Sequence, residues 1–454
     1  MLLCHCASFK PGLGFQEVKA LVAKRTDKEI RWTAEVTADS VSADVEGAVV
    51  RKRLTLDEAI QQALFRSPAL QAIYETLGVA QADMLVSRWP RNPILDAEAR
   101  VGSGTLDVEF SLLQNLLDIF YLPLRRRLSA AEFEAAKFKV ASSVLELIAR
   151  VRVAYYDLQA AIARREFMQI VAAARDASFD LARRLHEAGN LTDLEFANEE
   201  ALYRLAEINL NRMTLGASTA RQTLALLTGQ TDLQSGEVID ELPTLPSTEP
   251  SVVDLEKDAV EKNLALAAKR QAIEALKARA GISRLAPLDD AEIGGAFSKE
   301  KGDWTSGPSV SIPVPSFTLG QGARGRAESE LRQAQQQLIA LQIDLQVGVR
   351  IAQARLTTAR ANVTRYRDQL LPLRRKIVDE VQKSYNAMLV GGFELLRARE
   401  TEATTAIELI NELLEYWRAR SDIEQLQSGG WSRTREENDN GAAIDVGGTR
   451  KEVH

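Results

Sequence analysis

Side chains able to do chemistry are scarce in this chain of 454 residues. Three His, two Cys and five Met are too few for a soft-metal or redox centre. Cys4 and Cys6 both fall within the first six residues, which excludes a disulfide framework and leaves no thiol for the body of the chain. No cluster of polar residues converges as an α-helical enzyme would require. What remains is a pair of carboxylates, Glu195 and Glu394, each a few residues beyond a break between helical runs, at 189–190 and 388–392. A carboxylate in the first turn of a helix is favoured by the helix dipole, so the plain reading of both is a solvated helix start.

The composition limits the alternatives. A net charge of −6 with no basic patch argues against nucleic acid as a partner. With 45% hydrophobic residues, the chain is able to bury a large core, and its length suggests two or three domains. No run of about 18 apolar residues is present, so no transmembrane helix is expected. Met1, Leu2 and Leu3 are too few for the apolar region of a signal peptide.

The elements that would position those carboxylates follow from periodicity. Phe15, Val18, Leu21 and Val22 have helical spacing, and Ile30 to Trp32 form a short following segment; small, polar and acidic residues at 35–50 suggest a connector. Thr55 with Glu58 three residues later predicts a capping box, starting a helix that runs to about Arg88, with a break at Pro68. From 93 to 115 the period becomes two. Leu95, Ala97, Ala99 and Val101, then Leu106, Val108, Phe110 and Leu112, alternate with charged or small residues, a hairpin with one apolar face. Residues 116–124, containing Pro123, lead back to helix. A helix of about 64 residues, about 95 Å long, is predicted over 125–188, with apolar residues at helical spacing that demand helical partners throughout. A second helix covers 193–228, and 230–252 is a Pro-rich linker.

The pattern then restarts. A helix over 255–285 ends at Pro287, a hairpin covers 289–317 with its polar turn around 302–307, and a long helix covers 323–387 with a bend at Pro372. A last helix covers 393–427. Val151-Arg152-Val153-Ala154 matches Val349-Arg350-Ile351-Ala352 at an offset of 198, and Glu195 matches Glu394 at 199. The chain is thus expected to divide into an N-terminal segment 1–53, a first repeat 54–229, the linker 230–252, a second repeat 253–427 and a disordered tail 428–454.

Two short helices laid end to end match each long one. That predicts an elongated body about 100 Å long, with the hairpins at one end and the breaks at the other. Four strands cannot close a barrel alone, since single-chain membrane barrels start at about eight. With apolar outer faces, flanking aromatics (Trp89, Phe120, Trp304, Phe317) and polar inner faces, they suit a barrel assembled from several chains in lipid.

Residues 54–427 resemble the TolC-type outer-membrane efflux channels. The likeness is carried by Leu54-Thr55-Leu56-Asp57-Glu58-Ala59 with Ser67-Pro68-Ala69-Leu70, by Ala154-Tyr155-Tyr156-Asp157-Leu158, by Gly307-Pro308-Ser309-Val310-Ser311-Ile312-Pro313-Val314-Pro315, and by the tandem layout. The N-terminal Phe15-Gln16-Glu17-Val18 to Arg25-Thr26 segment is similar to the branch serving cobalt-zinc-cadmium exporters, in which the pump selects the metal. The resemblance implies a mainly α fold with a small β part: a tandem-duplicated TolC-like chain forming a long α-helical barrel, its four strands joining two other copies in a 12-stranded transmembrane barrel. It implies a homotrimer in outer-membrane lipid, a passive duct with no catalysis and no cofactor. Its partners would be a periplasmic adaptor (membrane fusion) protein and an inner-membrane pump, of the resistance-nodulation-division type for metals.

The resemblance also assigns sites. Gly189, Asn190 and Leu191 and Gly391 and Gly392 lie at the tip turns where an adaptor docks, and these glycines most simply serve the backbone there. Glu195 and Glu394 match acidic positions at the periplasmic entrance, where rings of like charge in a narrow mouth attract cations. Tyr385 matches a Tyr that contacts a carboxylate to hold the entrance shut. The Arg expected shortly after it is Val390, and a second acidic position is Arg397, which alters the charge lock. Cys6-Ala7-Ser8 resembles a lipoprotein start, but Leu3-Cys4-His5 is a poor lipidation signal, so either the start lies upstream, the chain is truncated, or Cys4 and Cys6 have no role. The competing reading is a soluble structural coiled coil, against which stand the alternating hairpins and the out-and-back repeat.

Overall fold

The computed structural model describes residues 12–32, 54–102, 105–115, 117–231, 241–247, 254–283, 291–300, 303–312 and 320–430. The candidate lipidation site Cys6, the connector at 35–50, most of the linker and the tail from 431 lie outside these. The order is α1 (Phe15–Thr26), α2 (Leu56–Arg66), α3 (Pro68–Val86), β1 (Ile94–Gly102), β2 (Thr105–Asn115), α4 (Leu117–Glu187), α5 (Asp193–Thr228), α6 (Leu255–Lys262), α7 (Leu264–Ser283), β3 (Glu292–Glu300), β4 (Asp303–Ser311), α8 (Gln321–Arg365), α9 (Leu371–Asn386) and α10 (Gly392–Gln427).

Local chemistry explains most boundaries. The Thr55 hydroxyl accepts from the Glu58 N–H while the Glu58 carboxylate accepts from the Thr55 N–H, so the predicted capping box forms. The long helix begins at Leu117, earlier than the expected 125, because the Asn115 side chain accepts from the N–H groups of Leu117 and Asp118 at 3.0 and 3.1 Å. Pro123 therefore lies inside α4, on an exposed face. In the second repeat, a π turn at Tyr366–Leu370 divides α8 from α9 just before Pro372. The Leu371 N–H reaches back to the Tyr366 carbonyl, widening the helix where the proline has no N–H to donate.

The helix expected over 255–285 is instead two. Asn263 is extended (φ −67°, ψ 122°) and separates α6 from α7, as Ser67 (φ −65°, ψ 113°) separates α2 from α3. Proline marks only the first of these breaks. Both fall where the chain passes from one compact unit to the other. Unit 1 comprises 1–42, 69–143 and 264–343; unit 2 comprises 43–68, 144–263 and 344–454. Each unit draws on both repeats.

In unit 1 the rings of Phe15, Trp32 and Tyr74 cluster at centroid distances of 5.1 to 6.4 Å and are fully buried, fixing α1 on α3. Trp32 Nε1 donates to Glu75 at 2.9 Å. Gly14 has φ 83°, and a Cβ there would lie 2.7 Å from the Phe133 ring, so only glycine lets α1 approach α4 this closely. Lys137, buried beneath it, pairs with Glu17 and with Glu134.

Unit 1 also holds the sheet, of order β1-β2-β3-β4 and antiparallel throughout, so the two hairpins join through β2 and β3. Register aligns Leu95, Leu112, Gly295 and Pro308 on one face, with Ala97, Phe110, Phe297 and Ser306 in the next row. The other face carries Asp96, Ser111, Ala296 and Gly307, then Glu98, Glu109, Ser298 and Thr305. The apolar face is exposed, with Leu95 at 69% and Phe297 at 52%. β4 begins at Asp303, so residues 303–307 are strand rather than the expected turn around 302–307. Ser306 and Gly307, expected in that turn, belong with Pro308 to β4, an edge strand, where a proline is tolerated.

In unit 2, α4 and α10 run antiparallel. Arg152 meets Glu424 at 2.7 Å, Asp157 meets Arg418 at 2.8 Å, Arg164 donates to Asn411 at 3.1 Å, and Arg175 meets Glu400 at 2.5 Å. Each step forward on α4 is matched by a step back on α10. The Tyr155-Tyr156-Asp157 motif is absorbed into this seam: the Tyr155 hydroxyl donates to the Leu54 carbonyl at 2.7 Å, and Tyr156 lies 5.1 Å from the Trp417 ring. Burial pushes the Tyr156 phenol up to about 12.

Candidate functional site

The two helical turns of unit 2 carry most of the predicted site residues. At the first, the Asn190 N–H bonds to the Leu185 carbonyl at 2.8 Å and the Gly189 N–H to that of His186 at 2.9 Å, with Gly189 left-handed at φ 75°. Asn190 and Leu191 complete the turn. Thr192 then caps α5 with a second capping box. The Glu195 carboxylate accepts from the Thr192 N–H and hydroxyl at 3.0 and 2.7 Å, and these bonds hold its pKa below the usual carboxylate value. Glu195 is exposed, yet committed to its own helix.

Aromatic rings rivet this turn. His186 stacks on Phe196 at 4.8 Å, Phe196 on Phe179 at 5.7 Å, and Phe179 on Tyr203 at 5.1 Å. His186 Nε2 also lies 2.8 Å from Asp193.

The second turn repeats the geometry with other residues. The Leu389 N–H bonds to the Ser384 carbonyl and the Met388 N–H to that of Tyr385, both at 2.9 Å. The left-handed residue is Met388, at φ 59°, rather than one of the glycines. Gly391 is extended (φ −80°, ψ 163°) and caps α10 without a side chain. Gly392 serves close approach: a Cβ there would lie 3.0 Å from Leu181 on α4. Met388, Leu389 and, at the first turn, Leu194 project apolar side chains into solvent, at 93%, 78% and 72% exposure.

Glu394 is exposed in the first turn of α10, its side chain engaged by no partner among the described residues. Tyr385 and Arg397 are exposed as well, and neither pairs with a carboxylate among the described residues. The contact that would lock a Tyr to a carboxylate is therefore not formed among the described residues.

A tighter charge cluster lies about three helical turns behind the tips, and sequence spacing gave no sign of it. Arg175 on α4 meets Glu400 on α10 at 2.5 Å and Glu199 on α5 at 3.8 Å, and Glu199 accepts from Ser178 at 2.9 Å. The Arg175 side chain is 15% exposed. One arginine thus ties both returning helices to α4. Beside it, Met168, Val171, Ala206, Ala403 and Ile407 form a common apolar cluster. Among the described residues no group of three or more His, Cys, Asp or Glu is placed to hold a metal ion, and no helix is long and apolar enough to cross a membrane.

Long helices that return at exposed turns, and a sheet apolar on one face and polar on the other, suit a helical duct whose strands meet lipid. Residues 59–230 match the family described as outer membrane efflux protein. The chain is 23% identical to the cobalt-zinc-cadmium resistance protein CzcC of Cupriavidus metallidurans over 383 residues, 82% of this chain and 90% of that protein. Its fold is that of the outer membrane protein VceC of Vibrio cholerae (TM-score 0.64, 17% identity, 83% of this chain and 97% of that one). The open state of the MtrE outer membrane channel of Neisseria gonorrhoeae is similar too (TM-score 0.62, 17% identity, 83% and 90%). In sequence over residues 59–230 and in fold the chain is similar to the TolC-type outer-membrane efflux proteins. The matched family is one of outer-membrane transport ducts.

Proposed function

We propose that three copies of this chain close a 12-stranded barrel in the outer membrane, continued by a helical tunnel, as a passive exit duct with no catalysis and no cofactor. The sheet carries this reading. Its edges β1 and β4 are open and its apolar face is bare, a liability that neighbouring copies and lipid would remove together. Exposed apolar residues at helical spacing support it: Leu205, Ile208 and Leu215 on α5, and Ile339, Ile343 and Val347 on α8. The repeats 54–229 and 253–427 are read as a tandem duplication, and Cys6 as a candidate lipid attachment.

The two turns are the proposed docking tips for a periplasmic adaptor. Gly189, Asn190, Leu191, Gly391 and Gly392 set the backbone, and Met388 and Leu389 offer apolar contact. Behind the adaptor would stand an inner-membrane pump of the resistance-nodulation-division type. The substrate class favoured by the likeness to CzcC is divalent transition-metal cations, selected by the pump and passed through this duct. Of the entrance residues, Glu394 is the better candidate to attract cations, since Glu195 is spent on its cap; Tyr385 and Arg397 flank the same mouth. A soluble coiled coil is not favoured, because such a filament has no use for a sheet with a bare apolar face.

Fractionation, cross-linking and planar bilayers test the assembly. Trimers in the outer-membrane fraction that conduct when inserted are expected, and a soluble monomer would overturn it. Cells lacking the protein should lose resistance to cobalt, zinc or cadmium; unaltered tolerance to all three would overturn the substrate class.

A further inference from the structure

Where α3 ends and α4 begins, a groove of about 380 Å3 opens between the two helices, lined by Met84, Ser87, Arg88, Trp89, Arg126 and Ser129. Its floor is fixed. The hydroxyls of Ser87 and Ser129 lie 2.5 Å apart, Ser129 is buried, and Arg126 donates to the Arg88 carbonyl at 2.8 Å. Its rim is cationic. Arg88 and Arg126 are exposed, and neither pairs with a carboxylate among the described residues. The carboxylate of Asp118 nearby is already taken, by Arg125 at 2.7 Å and by the Arg91 N–H at 2.8 Å. Asp83 and Glu132 stand about one helical turn further along the same helices. Glu132 is exposed there, and its carboxyl is pushed up by desolvation and then by Asp83, with Arg279 opposing.

Position says what such a groove meets. Trp89, 56% exposed, stands five residues before β1, the strand that leads into the bare apolar face of the sheet. That is the level at which a membrane barrel gives way to water, where tryptophan and arginine contact headgroups. We propose that this groove binds an anionic phospholipid of the periplasmic leaflet, its phosphate held between Arg88 and Arg126 and an acyl chain lying along Met84 and Trp89. Two unneutralised guanidiniums match the phosphate, and the apolar lining matches the chain. This rests on the outer-membrane placement of the sheet.

Native mass spectrometry of the detergent-purified protein with added phosphatidylglycerol tests the site, with phosphatidylcholine and inorganic phosphate as controls. The wild type should prefer phosphatidylglycerol and keep it in the presence of excess inorganic phosphate. Arg88→Gln, whose side chain holds no other element in place, should bind it more weakly. The pair Arg88→Gln and Arg126→Gln should lose on the order of tenfold in affinity or more, with conductance in planar bilayers unchanged. Equal affinity in a conducting double variant would overturn the site, and so would displacement by inorganic phosphate. A photo-crosslinker introduced as Trp89→p-benzoylphenylalanine should capture lipid, whereas capture of a second copy of the chain would also overturn it. Failure of the wild type to insert and conduct would instead sink the channel reading itself.

Discussion

Met388 holds, at φ 59°, the left-handed backbone position that Gly189 holds at φ 75° in the other turn. Both residues close the same pair of backbone bonds, so one geometry is reached by two sequences. A side chain in that conformation costs about 1 kcal/mol relative to glycine. Met388→Gly should stabilise the α9–α10 hairpin by about that much, and Gly189→Met should weaken α4–α5 similarly, as read by native-state hydrogen exchange. Export that falls while the hairpin gains stability would show the Met388 thioether at work in docking. Unchanged export would remove it from the docking surface.

The second expectation concerns Arg175, which pairs with Glu199 and Glu400 while only 15% exposed. Arg175→Leu leaves two carboxylates of different helices facing apolar surface, at a cost of about 1–3 kcal/mol to unfolding. A double-mutant cycle with Glu400→Gln should return a coupling energy above about 1 kcal/mol. The exposed pair Lys277 and Glu274 should give no more than about 0.5 kcal/mol in the same measurement.

The cap at Glu195 should titrate. Its pKa is held down by bonds from Thr192, so the folded chain binds fewer protons there than the unfolded one. The stabilisation is complete above the ordinary carboxylate value and is lost as pH falls through the lower, folded one. Exchange at the start of α5, corrected for intrinsic rates, should stay level from neutral pH to about pH 5 and rise in more acid solution. Glu195→Gln should flatten that dependence, and Thr192→Ala should cost about 1 kcal/mol of hairpin stability at neutral pH.

Glu394 gives the functional counterpart. Single-channel recordings of Glu394→Gln should show weaker cation preference, whereas Glu195→Gln should change it less, because that carboxylate is already bonded. An unaltered preference in Glu394→Gln would sink the entrance role.

Two adjacent glycines of β3 should behave differently. A Cβ on Gly294 would fall 2.0 Å from the Leu112 carbonyl oxygen, whereas one on Gly295 meets nothing closer than 4.0 Å. Gly294→Val should block the β2–β3 pairing and abolish outer-membrane insertion, and Gly295→Val should insert normally. Heat-modifiable mobility of membrane extracts distinguishes them.

Much of the element order was legible because each signal was local. Thr55 and Glu58 sit one capping box apart, the period of two at 93–115 reads directly as strand, and the offset between Glu195 and Glu394 exposes the repeat. The break at Asn263 was hidden because no proline marks it. The start of α4 was hidden because Pro123 looked like a barrier, while the Asn115 cap that overrides it spans only two or three residues.

By itself the sequence determined which residues could be apolar on one face and where capped helices such as α2 start, and it pointed to a chain built twice. Those properties depend on neighbours within a turn or a strand repeat. The tertiary structure alone decided that β2 pairs with β3, that Arg175 meets partners 24 and 225 residues away, and that Glu195 is bound to its cap while Glu394 is not. These depend on helix register and on side-chain reach across space, which no spacing along the chain records.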